Sequence, residues 1–151
     1  MKRHKAIVPL SHDHYDGLFI AQSIKKNFIK TDLGLSSIED KIKYVINAYN
    51  TELIPHFNHE EVILFPFAMG KDAELDKMIN DILEEHDAIH KAVSKISEGN
   101  LEENLNEFGL LLESHIRKEE RILFPKIEEI LGDELSVLDG QIVAVKDSCG
   151  I

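Results

Sequence analysis

The stretch His56-Phe57-Asn58-His59-Glu60-Glu61-Val62-Ile63-Leu64-Phe65-Pro66 occurs in this chain in two related copies. The second is His115-Ile116-Arg117-Lys118-Glu119-Glu120-Arg121-Ile122-Leu123-Phe124-Pro125. The histidine, both glutamates, the Ile-Leu pair and the Phe-Pro pair recur at identical spacing, 59 residues apart. That offset covers two helices, so the repeat is a duplicated helix pair rather than a solenoid. At about 100° of rotation per residue, a glutamate four positions after a histidine shares its helix face. His56 and Glu60 therefore point together, as do His115 and Glu119. Glu61 and Glu120 fall about 140° from their histidines and read as solvated helix charges.

Working outward, the apolar period is helical almost throughout. Ser11 is the expected N-cap of a first helix running to about Lys30. Thr31 to Ser37, with Gly34 and two serines, reads as a loop. Ser36 and Glu39 have capping-box spacing and open a second helix that runs to roughly Phe67. Pro55 lies inside it and should kink it near Thr51. Gly70 breaks the pattern and Asp72 caps a third helix to about Ser97, stopped at Gly99. Asn100 with Glu103 opens a fourth helix to Leu131, ended by Gly132, with Pro125 inside it. The expected fold is all-α: an up-down-up-down antiparallel four-helix bundle over residues 1–132, with a short C-terminal extension, residues 133–151, packed on it. Glu134 to Asp139 reads as a short helix. Gln141 to Val145 looks strand-like without an identifiable partner.

Eight histidines stand out in the composition. On the second helix, His56 shares its direction with Ile38, Ile42, Val45, Tyr49, Ile63 and Phe67. On the fourth, His115 lies with Leu101, Phe108, Leu111 and Ile122. On the third, His86 and His90 sit four apart among Leu75, Ile79, Ile82 and Val93. On the first, His14 lies between Leu10 and Leu18, while His12 points away. His4 and His12 read as surface residues. His59 sits at the edge of the inner stripe, where it either backs the site or covers the seam, and Tyr49 reads first as core and second as a hydrogen-bond partner near the site. One such histidine would read as an ordinary hydrogen-bonded core residue. Five imidazoles and two carboxylates meeting in one apolar interior would leave many polar atoms unpaired, and a buried carboxylate costs several kcal/mol unless paired, protonated or metal-bound. The set His14, His56, Glu60, His86, His90, His115 and Glu119 therefore points to two divalent cations. Nitrogen and oxygen donors favour iron, manganese or zinc over a thiolate site. The Glu-x-x-His order of ferritin-like bundles is absent, and so is His-Glu-x-x-His.

Composition bounds the alternatives. The chain has 151 residues, 43% hydrophobic and 30% charged, which suits one globular domain and not a disordered tail or a membrane protein. Seventeen basic against 28 acidic residues leave a net charge of −11, which argues against nucleic-acid or anionic-membrane partners. The single cysteine, Cys149, excludes an intramolecular disulfide. The basic start, Met1 to Lys5, is followed by an apolar stretch that stops at Leu10, too short for a signal peptide. The longest apolar run, Val62 to Met69, is far short of a membrane span. A cytoplasmic location is the default expectation.

Asp13-His14, His56-x-x-x-Glu60, Glu85-His86 with His90, and His115-x-x-x-Glu119 resemble the hemerythrin-like, HHE cation-binding domain over about residues 10–131. The resemblance implies a four-helix bundle holding two irons bridged by two carboxylates and an oxo or hydroxo group. It implies His14, His56, His86, His90 and His115 as terminal ligands, with Glu60 and Glu119 as bridges, leaving one coordination position open. An open position makes a metal site reactive rather than structural, a logic taken over from zinc. In the oxygen-carrying members the last carboxylate is an Asp five residues after its histidine; here Glu119 stands at four and Glu120 at five. Helical phase and the repeat favour Glu119 as the bridge, with Glu120 the alternative. The expected function is a non-haem di-iron protein that binds or senses dioxygen for storage, delivery or redox sensing, more a binding protein than an enzyme. The alternatives are peroxide or nitric-oxide chemistry or iron donation for iron–sulfur repair, with Cys149 the only redox-active cysteine on offer, and a metal-free or zinc-filled interaction module.

Overall fold

The computed structural model describes residues 2–24 and 37–146. No strand occurs among them; the architecture is all-helical and consistent with a helical bundle. Helix α1 is Val8–Ser23. A second rod, residues 38–68, contains α2 (Ile38–Ala48), α3 (Ile54–Asn58) and α4 (Phe65–Ala68). They join without a break through π-helical turns at Tyr49–Leu53 and His59–Leu64. Helix α5 is Ala73–Ser94. A fourth rod joins α6 (Leu101–Lys118) to α7 (Phe124–Leu131) through a π turn at Glu119–Leu123. A 3-10 helix, Gly132–Leu138, follows. Helix α6 packs on α1, α2 and α5.

Each π turn stands just ahead of a proline. Proline offers no N–H, and its ring collides with the carbonyl four residues back. For Pro55, Pro66 and Pro125 those carbonyls belong to Thr51, Val62 and Arg121, and all three lie inside the π turns. Widening the turn gives the ring room without ending the helix. The distortion expected near Thr51 thus takes the form of a local widening.

The wider turns also correct the inner stripe expected from a constant 100° step. Ile122 was expected inside but is 50% exposed, whereas Leu123 and Phe124 are buried. Ile38 and Leu111, also expected inside, lie at the surface too; no π turn separates Leu111 from His115, and there Leu112 and Ile116 are the buried neighbours.

The caps follow local chemistry. Asp72 accepts from the Leu75 amide at 2.9 Å, and Asn100 from the Glu103 amide at 3.1 Å. The second rod is capped by Ser37, which accepts from the Asp40 amide at 3.1 Å. Ser36, the rest of the loop from Thr31 and the expected end of the first helix lie outside the described residues. Ser11 is not an N-cap: α1 already starts at Val8, with Pro9 in its first turn, where a missing N–H costs nothing. Gln141 to Val145 is not a strand. Ile142, Ala144 and Val145 are buried, and the Val145 amide donates to Asp13 on α1 at 2.8 Å. No helix among the described residues is long and apolar enough to cross a membrane.

The core consists of two apolar clusters. One holds Leu10, Leu64, Phe65, Ile79, Ile82, Leu123 and Phe124. The other holds Ile20, Leu53, Phe57, Ile89, Leu112 and Ile116. Along α1 the membership changes across His14, along the second rod across Glu60, along α5 across His86, and along the fourth rod across Glu119. The chemistry-bearing residues form one polar layer between two greasy ones.

Candidate metal centre

Two groups of ligand atoms occupy that layer. His14, His56, Glu60 and Glu119 form one; Glu60, His86, His115 and Glu119 form the other. Within each, the ligand atoms lie within 4.8 Å of one another, and every residue is buried. Both groups share both carboxylates. Nε2 of His86 lies 3.0 Å from Glu60, and Nε2 of His115 lies 2.6 Å from Glu119. Nε2 of His56 lies 3.5 Å from Glu60, and Nε2 of His14 lies 3.7 Å from Glu119.

These contacts do not have hydrogen-bond geometry. All four Nε2 atoms and all four oxygens of Glu60 and Glu119 are buried without a hydrogen-bond partner. Buried polar atoms are seldom left so, because each forfeits its hydration for nothing. Eight of them converging on two points, all nitrogen or oxygen, match the coordination demand of borderline to hard cations. The residues fit a pair of metal ions.

The outer nitrogens explain why Nε2 faces inward. Nδ1 of His14 meets Glu120 at 2.9 Å, His56 meets Asp13 at 2.9 Å, His86 meets Glu61 at 2.8 Å, and His115 meets Glu85 at 2.9 Å. An ionised carboxylate only accepts, so Nδ1 carries the proton and the Nε2 lone pair is left for a cation. The four pairs close a ring. Each rod's histidine takes its acid from the preceding rod, and the first takes it from the fourth. Each acid stands next to a candidate ligand in sequence, Asp13 beside His14, Glu61 beside Glu60, Glu85 beside His86 and Glu120 beside Glu119. Three acids are held in turn, Glu120 by the Ser11 hydroxyl at 2.9 Å, Glu85 by Lys118 at 2.9 Å and Asp13 by the Val145 amide at 2.8 Å.

Glu61 and Glu120 are therefore not mere solvated charges, and Tyr49 takes the second of its two readings, a hydrogen-bond partner near the site. Of the Glu119 and Glu120 alternatives, the structure sets Glu119 in both ligand groups and Glu120 on the back of His14. Of the seven residues expected to converge, six do; His90 stands outside both groups. Its Nδ1 meets the Tyr49 hydroxyl, and its ring packs edge-on to Phe57. His12 is exposed, and His4 accepts from the Ala6 amide instead of standing free.

The electrostatics favour positive charge beside the two buried carboxylates. Burial alone would push the His56 and His115 imidazoles down, but the Glu60 and Glu119 carboxylates beside them carry both up to about 10. His14 is raised too, burial again being outweighed by Glu119. Burial would lift Glu119, yet His115 and His14 hold it well below the usual carboxylate range. Without metal, protons supply the charge the two acids require.

Beside the first group lies a cavity of about 10 Å³, room for roughly one water-sized molecule. His14, His56 and His115 line it with Ile20, Leu53, Phe57, Leu112, Ile116 and Val145; Asp13, Asp16, Gly17 and Glu52 complete the wall.

A family model for the hemerythrin HHE cation binding domain matches residues 4–127. The comparisons return no match among curated proteins or solved structures.

Proposed function

Because the chain belongs to the hemerythrin HHE cation-binding domain family, we propose that it is a non-haem di-iron protein that takes up or senses dioxygen or a comparably small ligand. The observation that carries this reading is the set of eight orphaned ligand atoms in two groups that share Glu60 and Glu119. In this reading His14 and His56 would hold one iron, His86 and His115 the other, and Glu60 and Glu119 would serve both. His90 is the fifth imidazole, fixed at Nδ1 by Tyr49 as the other four are fixed by acids. Manganese or zinc would suit the same donors.

When bound, an iron pair would supply redox electrons and a Lewis-acidic centre for a small ligand. The chain's own residues do the rest. Asp13, Glu61, Glu85 and Glu120 lock the tautomer and aim of four imidazoles, which raises their strength as donors. The apolar layers above and below exclude water. The small cavity favours a diatomic or peroxide-sized ligand over an organic substrate.

Anomalous scattering from crystals of the full chain will give element, number and positions of the metal together. Two iron sites between the named residues, with near-ultraviolet charge-transfer bands that change reversibly on deoxygenation, are expected. A single structural ion, or bands indifferent to oxygen, would overturn the reading. Catalytic rather than stoichiometric consumption of peroxide or nitric oxide would convert it to the enzymatic alternative.

A further inference from the structure

The segment 142–146 does more than cover the bundle. Ile142 is buried in the cluster with Leu135 and Leu10, which anchors the segment at one end. Three residues on, Val145 forms part of the wall of the cavity that His14, His56 and His115 also line. Its amide donates to Oδ1 of Asp13 at 2.8 Å, while Oδ2 of the same carboxylate accepts from Nδ1 of His56 at 2.9 Å. Lys146 then reaches across two rods. Its Nζ lies 3.5 Å from Asp16 on α1 and 3.7 Å from Glu52 in the Tyr49–Leu53 turn, and both acids line the same cavity. Burial and the neighbouring acids Asp16 and Asp13 push Glu52 up, so Lys146 is the cation that keeps these acids together.

We propose that residues 142–146 form a gating strap over the ligand cavity, with Lys146 as its latch and the Val145–Asp13–His56 chain as its link to the metal centre. The proposal rests on the reading of that cavity as the ligand pocket. Opening removes the Val145 side chain from the wall and takes one hydrogen bond from the carboxylate that orients His56. Access and ligand orientation thus change together. Val145 and Lys146 act through other groups and are positioning residues, not catalytic ones. The latch is a partly exposed pair of long ionic contacts, which salt screens readily; the Val145–Asp13 bond is short, part-buried and donated by a neutral amide, so salt screens it far less.

The test uses dissolved dioxygen as a paramagnetic probe of methyl relaxation in the full chain, with diamagnetic zinc(II) added so that no iron chemistry intervenes. In the wild type at low salt, methyls of Ile20, Leu53 and Ile116 should be relaxed only weakly. Lys146→Met should raise that relaxation several-fold, and Lys146→Arg should restore it. Raising the salt to about 1 M should open the wild type in the same way and leave Lys146→Met unchanged. Val145→Pro, which lacks the amide, should also release a metal to a chelator at least tenfold faster. Equal relaxation in wild type and Lys146→Met, or an increase that spreads equally to Ile79 and Leu75 in the other cluster, would overturn the strap. Because the methyl readout needs no iron, its failure is distinct from failure of the di-iron reading.

Discussion

Glu60 and Glu61 are neighbours, as are Glu119 and Glu120, yet one position separates two kinds of work. The first of each pair is fully buried and faces imidazole nitrogens with no hydrogen bond of its own. The second holds the outer nitrogen of a histidine on another rod. Removing an inner glutamate takes an oxygen pair from both ligand groups, so Glu60→Ala should lose metal, as should His115→Ala, which removes a donor outright. Removing an outer acid only loosens an imidazole. Glu61→Ala and Glu120→Ala should weaken metal binding by about 10- to 100-fold while leaving the chain folded, which competition against a chelator of known affinity will read. His12→Ala should change nothing. Full loading of Glu119→Ala, with none in Glu120→Ala, would reverse the two assignments. The inner residues were legible because a four-residue spacing puts His and Glu on one face. The outer ones were not, because a sideways-pointing acid on one helix looks solvated until the next helix is in place. The recurrence of the second glutamate in both copies was the available signal.

Within an element, the sequence marked the prolines and, at Pro55, a distortion, but not how the helix absorbs it. Counting at a constant 100° assumes one pitch throughout. A π turn spends extra residues on a revolution, and everything beyond it is rotated. That is why Ile122 was assigned inward and lies half in solvent, while Leu123 is 1% exposed. The two assignments predict opposite mutants. With the widened turn, Ile122→Ser should cost no more than about 0.5 kcal/mol and Leu123→Ala about 2–5 kcal/mol in urea unfolding. If Ile122→Ser proves the more damaging, the turn at Glu119–Leu123 is α-helical in solution. The same reasoning explains the caps. Ser37 and Asp40 repeat the spacing of Ser36 and Glu39 one residue later, and pattern alone does not choose between adjacent serines.

At the scale of the whole molecule, the rods and the breaks at Gly70, Gly99 and Gly132 were legible from period, caps and glycines, while the break ahead of Ser37 lies outside the described residues. The coincidence of the histidines at one level was not, because helix ends were uncertain by about a turn. That level is what makes the fold conditional. The ring of His–acid pairs ties every rod to its neighbours through the one layer that apolar packing does not stabilise, and the charge of that layer must be met by protons or by metal. The two solutions answer pH differently. In the metal-free chain, His56 and His115 sit at about 10 against an ordinary 6.5, so their contribution is complete below 6.5 and lost as pH rises through 10. Glu119, held well below 4.5, contributes fully above 4.5 and loses that contribution only as pH falls through its depressed value. The metal-free form should therefore be most stable between about pH 4.5 and 6.5. A cation at Nε2 displaces those same protons, so loading releases them and tightens as pH rises toward 10. At fixed free metal, the melting-temperature gap between loaded and metal-free chain should widen steadily from pH 6.5 to 9, since the ligand contribution grows as RT ln(1 + [L]/Kd) while the metal-free form weakens. Calorimetry of both forms in metal-buffered zinc(II) measures the gap directly. A gap that stays constant or narrows over that range would mean that metal and protons do not compete for these imidazoles, and the centre could not lie between them.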